Sequence, residues 1–178
     1  MLRKTILALF LCAAMSSLHP FALSAESGRS VHHDLKIVLN PSEAKLSGLD
    51  TVTVDAPNVS SLALLLTQTA SVHSVSISGD SRTFSFNKGQ LLIPLKSSDR
   101  NGPLLVKIHY SAAFHDPVPD TFANTDNPGY GVTGMISDRG TFLQAGAGWY
   151  PEISGSRPTF HLVVEAPAGT LAVTSGRC

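Results

Sequence analysis

Leu104 to Tyr110 reads LLVKIHY, and its alternation decides the fold class. Leu104, Val106, Ile108 and Tyr110 fall in one phase, and Leu105, Lys107 and His109 in the other. That period of two is what a half-buried strand requires. The turn Arg100-Asn101-Gly102-Pro103 stands directly before it. Upstream, Thr83 to Phe86 and Leu91 to Leu95 flank Asn87-Lys88-Gly89, a hairpin signal, because tight hairpin turns need residues that accept positive φ. Val72 to Ser78 alternates and ends at Gly79-Asp80, and Leu49 to Val54 is short and β-branched. His33 to Leu39 puts Leu35, Ile37 and Leu39 on one face before Asn40-Pro41-Ser42 stops it. Leu62 to Leu66 is ambiguous, since Leu62, Leu65 and Leu66 also sit at helical spacing; the Ser-, Thr- and Val-rich flanks favour strand.

Downstream, a long connection from Phe114 to Gly140 leads to short extended pieces at Phe142-Leu143 and Trp149-Tyr150. Thr159 to Glu165 then alternates Phe160, Leu162 and Val164, and Pro167-Ala168-Gly169 turns into a last extended piece, Leu171 to Thr174. The pattern predicts an all-β fold, an antiparallel sandwich or saddle of about nine or ten short strands.

The chain has 178 residues, with 13 Lys and Arg against 13 Asp and Glu. That length suits one domain with a core that needs no staples. The balanced charge removes the electrostatic footprint of a nucleic-acid or anionic-membrane binder, so nucleic acid is not an expected partner. A hydrophobic share of 43% with 15% charged residues excludes disorder.

Arg3 and Lys4 precede an uncharged apolar run, Thr5 to Met15, and Ala22-Leu23-Ser24-Ala25 offers small residues for cleavage. Residues 1–25 are therefore expected to be a signal peptide and 26–178 the mature domain. The product is expected to be exported, periplasmic or extracellular. The run is shorter than the roughly 20 apolar residues a bilayer needs, so the mature chain carries no expected membrane span. Cleavage removes Cys12 and leaves Cys178, which can form no intrachain disulfide.

Few residue patterns carry chemistry. The seven His residues include no HExxH, the pattern that sets two ligands and a base on one helix face. His32 and His33 are adjacent, so on a strand they face opposite ways. His73, His109 and His161 lie inside strands, where a hydrogen-bonded or surface role is ordinary. His115, Asp116, Asp120 and Asp126 gather in the long connection but lack the spacing and turn Gly of a calcium loop. There is no GxSxG elbow, and Gly129-Tyr130-Gly131 and Gly146-Ala147-Gly148 lack the Lys or helix start of a phosphate cradle. Asn58-Val59-Ser60 is a glycosylation sequon. No residue is assigned as catalytic or metal-ligating. The most individual stretch is Gly140 to Pro151 (GTFLQAGAGWYP), where Trp149 and Tyr150 set two amphipathic rings beside a rigid Pro, either as a plug on the core or as a docking surface.

These features occur in an order that resembles the N-terminal β-domain of aminopeptidase N-type zinc metallopeptidases, the membrane alanyl aminopeptidase family. His33-Asp34-Leu35-Lys36-Ile37 is similar to the opening strand, and Ala44 to Val54, with Gly48, to the stretch after it. Leu62 to Gly79 resembles the next strand pair, and Leu104 to Ser111 the family's "L-x-I-x-Y" strand. Gly148-Trp149-Tyr150-Pro151 stands where the family carries an aromatic-Pro step; Thr159 to Gly176 resembles its closing "P-x-G … S-x-G" segment.

The resemblance implies a non-catalytic β-domain whose partner is a following catalytic domain or partner protein, with peptide as the substrate class. Zinc would sit in that missing domain, and no cofactor is expected in this chain, which stops at Cys178. Many members carry a Glu shortly before the aromatic-Pro step that holds the substrate's amino group. Here Gln144 is the polar residue in that region, so Gln144, Trp149 and Tyr150 are the candidate substrate-binding residues. Two other readings stand beside this one: a free-standing exported β-sandwich that binds a peptide, glycan or partner protein, and a hydrolase using the His and Asp residues of the long connection.

Overall fold

The computed structural model describes residues 30–55, 59–100, 102–117 and 132–177. Residues 1–25, the expected signal peptide with Cys12, and Asn58, Asp120, Asp126, the Gly129-Tyr130-Gly131 stretch and Cys178, lie outside the described residues. Within them the chain is strands and turns, as the alternation requires. The strands are β1 Val31–Asn40, β2 Lys45–Val54, β3 Ser61–Leu65, β4 Ser71–Ile77, β5 Asp80–Ser81, β6 Ser85–Asn87, β7 Gln90–Pro94, β8 Leu104–Ala113, β9 Gly134–Ser137, β10 Gly140–Leu143 and β11 Thr159–Glu165. Among the eleven strands of the described residues, β5 falls where the sequence reads as a turn and β9 inside the long connection Phe114 to Gly140.

Three sheets result: a six-stranded sheet in the order β11-β1-β2-β8-β4-β5, a three-stranded sheet β3-β7-β6, and the hairpin β10-β9. The predicted strand Leu104 to Tyr110 is β8, paired over its length with β2. It buries Leu104, Val106, Ile108 and Tyr110. The ambiguous leucines resolve by period: Leu62, Leu64 and Leu66 are buried while Leu65 is 43% exposed, which is strand alternation and not a helical stripe. At the predicted hairpin, Asn87 faces Gln90 across a two-residue loop. Lys88 and Gly89 there have φ of 49° and 83°, the geometry whose twist matches the strands it joins. The core lies between the large and small sheets. It joins Leu46, Val52, Val106 and Ile108 to Leu62, Leu64, Leu91 and Ile93, closed at one end by Phe114 and Ile136.

Two expectations need correction. The sheets are antiparallel except at one edge, where β11 lies parallel to β1, with Leu35 opposite Leu162. A parallel neighbour requires a crossover of a dozen residues or more, and the whole chain between β1 and β11 supplies it. Leu171 to Thr174 is not a strand. The turn at Pro167, closed by Thr170 N donating to Pro167 O (3.2 Å), leads the chain onto the surface. Leu171 and Val173 are 85% and 87% exposed there, without a ladder partner among the described residues.

Candidate functional site

The step Gly148-Trp149-Tyr150-Pro151-Glu152 is fixed by backbone bonds to the end of β3. Leu65 N donates to Glu152 O (2.8 Å), Glu152 N to Leu65 O (2.9 Å), and Thr67 N to Gly148 O (2.8 Å). A single antiparallel bridge, Leu65 to Glu152, ties the step to β3; Trp149 and Tyr150, expected from the sequence to be extended, are bends in the chain. From the opposite sheet, the buried Tyr110 donates its hydroxyl proton to the Trp149 carbonyl at 2.9 Å. Gly48 faces Tyr110 in the β2–β8 ladder, and a Cβ at Gly48 would collide with the phenol ring. The missing side chain is what lets Tyr110 reach the step.

Beneath the step sits a buried polar pair. His33 of β1 and Asp50 of β2 are both 0% exposed and joined by His33 Nδ1 and Asp50 Oδ2 at 2.7 Å. Phe160 of β11 stacks on the imidazole (centroids 5.0 Å apart, 15°) and Tyr150 meets it edge-on (5.3 Å, 84°). Trp149 in turn meets Tyr150 at 4.7 Å. His33 Nε2, Asp50 Oδ1 and Glu152 Oε1 are buried without a hydrogen-bond partner. A 250 Å³ pocket lined by His33, Leu65, Tyr150, Glu152, Ser154 and Ser156, among others, opens beside them.

This corner holds protons tightly. Burial pushes the Asp50 carboxyl up from its ordinary value although His33 pulls it down. Burial also raises Glu152, against the Gly146 and Gly148 amides that hydrogen-bond to it. Tyr150 is pushed up to about 12 by burial and by the Glu152 and Asp50 carboxyls. All three shifts arise because charge is costly away from water. An imidazole oriented by a buried carboxylate is the base-and-orienter half of a nucleophilic site. The nearby Ser156 is committed otherwise, its Oγ donating to Ile153 O at 2.8 Å. What the arrangement does is lock β1, β2, β11 and the step together through one polar contact wrapped in aromatic rings.

Glu152 gives a pH-dependent prediction. Its folded-state pKa lies above the unfolded one, so folding binds its proton, and stability falls as pH rises through that interval. Glu152→Gln is expected to raise the melting temperature at neutral pH. The gain should shrink at about pH 4, where the wild-type carboxyl is largely protonated. Thermal melts of both proteins at the two pH values check this; an equal gain at both, or a loss at neutral pH, removes the buried carboxylate as the cause.

Of the sequence-derived residues, Trp149 and Tyr150 are brought together but look different ways. Tyr150 lines the pocket beside His33. Trp149 lines a separate 360 Å³ groove with Ile37, Leu39, Leu143, Leu162 and the exposed Leu171, among others. Gln144 is exposed after β10 and is held by its backbone, with Gln144 N donating to Thr133 O (2.9 Å). Asp116 ties the end of the long connection together: its Oδ2 accepts from Thr133 N, Thr133 Oγ1 and Gly134 N at 2.7, 2.8 and 2.9 Å. These bonds hold its carboxyl below the usual range. Sequence reading missed His33, Asp50, Glu152 and Tyr110 as site residues.

No protein-family model matches the chain, and no curated protein matches it either. Solved structures do. The M1 zinc metallopeptidase from Deinococcus radiodurans superposes with a TM-score of 0.59 at 21% identity over 85% of this chain. The fold is that of a domain of M1 zinc metallopeptidases. A variant of the same Deinococcus enzyme, bound to a Tyr-Ser-Ala substrate, matches with TM-score 0.59 at 19% identity over 85% of this chain and 37% of its own. Yeast LTA4 hydrolase matches with TM-score 0.53 at 18% identity, over 82% of this chain and 24% of its own. The chain spans only 36% of the first Deinococcus protein. The zinc in those names does not fit the residues here: the sequence has no HExxH, and among the described residues no group of three His, Cys, Asp or Glu is arranged to hold a metal.

Proposed function

We propose that this chain is the non-catalytic β-domain of an exported aminopeptidase-like protein of the M1 type, and that its work is to cover and shape the substrate end of a zinc-dependent catalytic domain. The observation that carries the reading is the match of 85% of this chain to 36% of an M1 metallopeptidase. The order of strand motifs supports it, as does the use of the buried His33–Asp50 pair for anchoring. The peptide held by the Deinococcus variant supports peptides as the substrate class of the whole protein. Gln144, Trp149 and Tyr150 are proposed as the residues that line that end, since all three sit on or near the rigid step. Export rests on the basic start and apolar block of residues 1–25.

The purified chain, supplied with Zn(II) and amino-acyl p-nitroanilides or short peptides, is expected to release no N-terminal amino acid. Metal-dependent turnover that survives repurification would overturn the proposal. N-terminal sequencing of the exported product is expected to start just after residue 24 or 25; an intact Met1 would remove the export step.

The groove beside Trp149 favours a second reading, a free-standing binder of peptide, glycan or partner protein. Trp149 is the single Trp, so its emission reports on occupancy directly. An emission unchanged by peptides and oligosaccharides eliminates the ligands tried.

A further inference from the structure

The face of the six-stranded sheet turned away from the core carries an arrangement that the proposed function does not use. At the β4–β8 ladder the register shifts between Val72 and Ser74, so that His73 and Ser74 share the position opposite His109. A bulge of this kind interrupts a ladder and re-aims a side chain, and here it turns His73 out over the sheet. The His73 and His109 rings lie with centroids 5.0 Å apart, tilted by 56°. Both residues are exposed on a face of which β8 is a central strand. His73 Nε2 lies 3.0 Å from Ser111 Oγ, which places a hydroxyl at the same point.

We propose that His73 and His109 form a chelating site for a divalent transition-metal ion of the imidazole-preferring class, Zn(II), Cu(II) or Ni(II). The spacing is the argument. A metal–nitrogen bond is about 2.0–2.1 Å and the ring centre lies roughly 1.1 Å behind the nitrogen, so two imidazoles at a tetrahedral angle hold their centroids about 5 Å apart. The observed separation meets that value, and the sheet sets it before any ion arrives. Imidazole is a favoured donor for these ions, and a pre-set pair loses little freedom on binding. The ion takes two protein nitrogens and completes its sphere with water, one of which Ser111 Oγ can hold. Lys107 lies on the same face two residues along β8, a positive charge that opposes a bound cation.

The test is isothermal titration of the full chain with Zn(II) at neutral pH, on a Cys12→Ser, Cys178→Ser background so that neither thiol competes. One ion per chain is expected. His73→Ala and His109→Ala should each weaken binding by at least about tenfold, and the double variant should leave no binding at this site. His32→Ala and His161→Ala are expected to bind as the parent does. Zinc should also shift the ring-nitrogen NMR signals of His73 and His109 together. Both residues are exposed, so the substitutions leave the core intact, and circular dichroism verifies it. Parent-like affinity in both single variants, or ring shifts confined to other histidines, overturns the proposal.

Discussion

Asp50→Ala is expected to destabilise the domain by about 3–5 kcal/mol, the usual result of removing one partner from a fully buried polar pair. Asp50 Oδ2 is the partner of His33 Nδ1, and both residues are 0% exposed. Alanine therefore leaves a fully buried imidazole without its carboxylate, against Phe160 and Tyr150, and leaves a small void. For a domain of this size each kcal/mol moves the melting temperature by roughly 2–4 °C, so a fall on the order of 10 °C is expected by calorimetry. The companion experiment separates polarity from packing. His33→Leu combined with Asp50→Leu removes both polar groups and should recover much of the loss. A double variant as unstable as Asp50→Ala would mean that shape, not the unpaired imidazole, sets the cost.

Gly148→Ala is expected to cost about 2–5 kcal/mol and to loosen the aromatic step. Gly148 has φ of +69°, and a Cβ built there runs into the backbone of Leu66 and Thr67. The left-handed backbone accounts for about 1–2 kcal/mol with any L side chain, and the collision for about 1–3 more. The Thr67 N–Gly148 O bond (2.8 Å) lies at that point. Gly155 is the internal control: its φ is +74° but a Cβ there meets nothing, so Gly155→Ala should show the backbone cost alone. Urea unfolding of both variants, followed by Trp149 emission, checks the difference. Equal losses in the two would show that the approach to β3 is not tight.

The fold was legible because most of its strands declare themselves locally. Leu104 to Tyr110, the Lys88-Gly89 turn and His33 to Leu39 each carry their own period or turn chemistry, which fixes element type without knowledge of partners. The exceptions are failures of pairing. Nothing in Thr159 to Glu165 says that its neighbour is β1 or that the two run parallel, and Leu171 to Thr174 has strand composition without a ladder to join. The site was less legible for the same reason. His33 is in phase with Leu35 and Ile37, and Asp50 with Leu46, Val52 and Val54, the inward residues of their strands. An ionisable residue in step with an apolar stripe on each of two strands was the available signal. That the two meet depends on β1–β2 register, and that Glu152 and Tyr150 arrive above them depends on the bonds between the step and Leu65. The bulge that turns His73 toward His109 is likewise a property of the ladder, invisible in either strand alone.

The adjacency of β1 and β11 also has a consequence for how the molecule comes into being. Partners such as Asp34 and His161, 127 positions apart, meet only after every strand between them has been synthesised. Such distant pairings close late and slowly, and until then the first strand keeps a bare margin and its imidazole lacks the Phe160 cover. A ribosome-bound chain of this topology should stay unlocked until β11 emerges, which leaves its sheet open at that edge for most of the time the domain takes to be made.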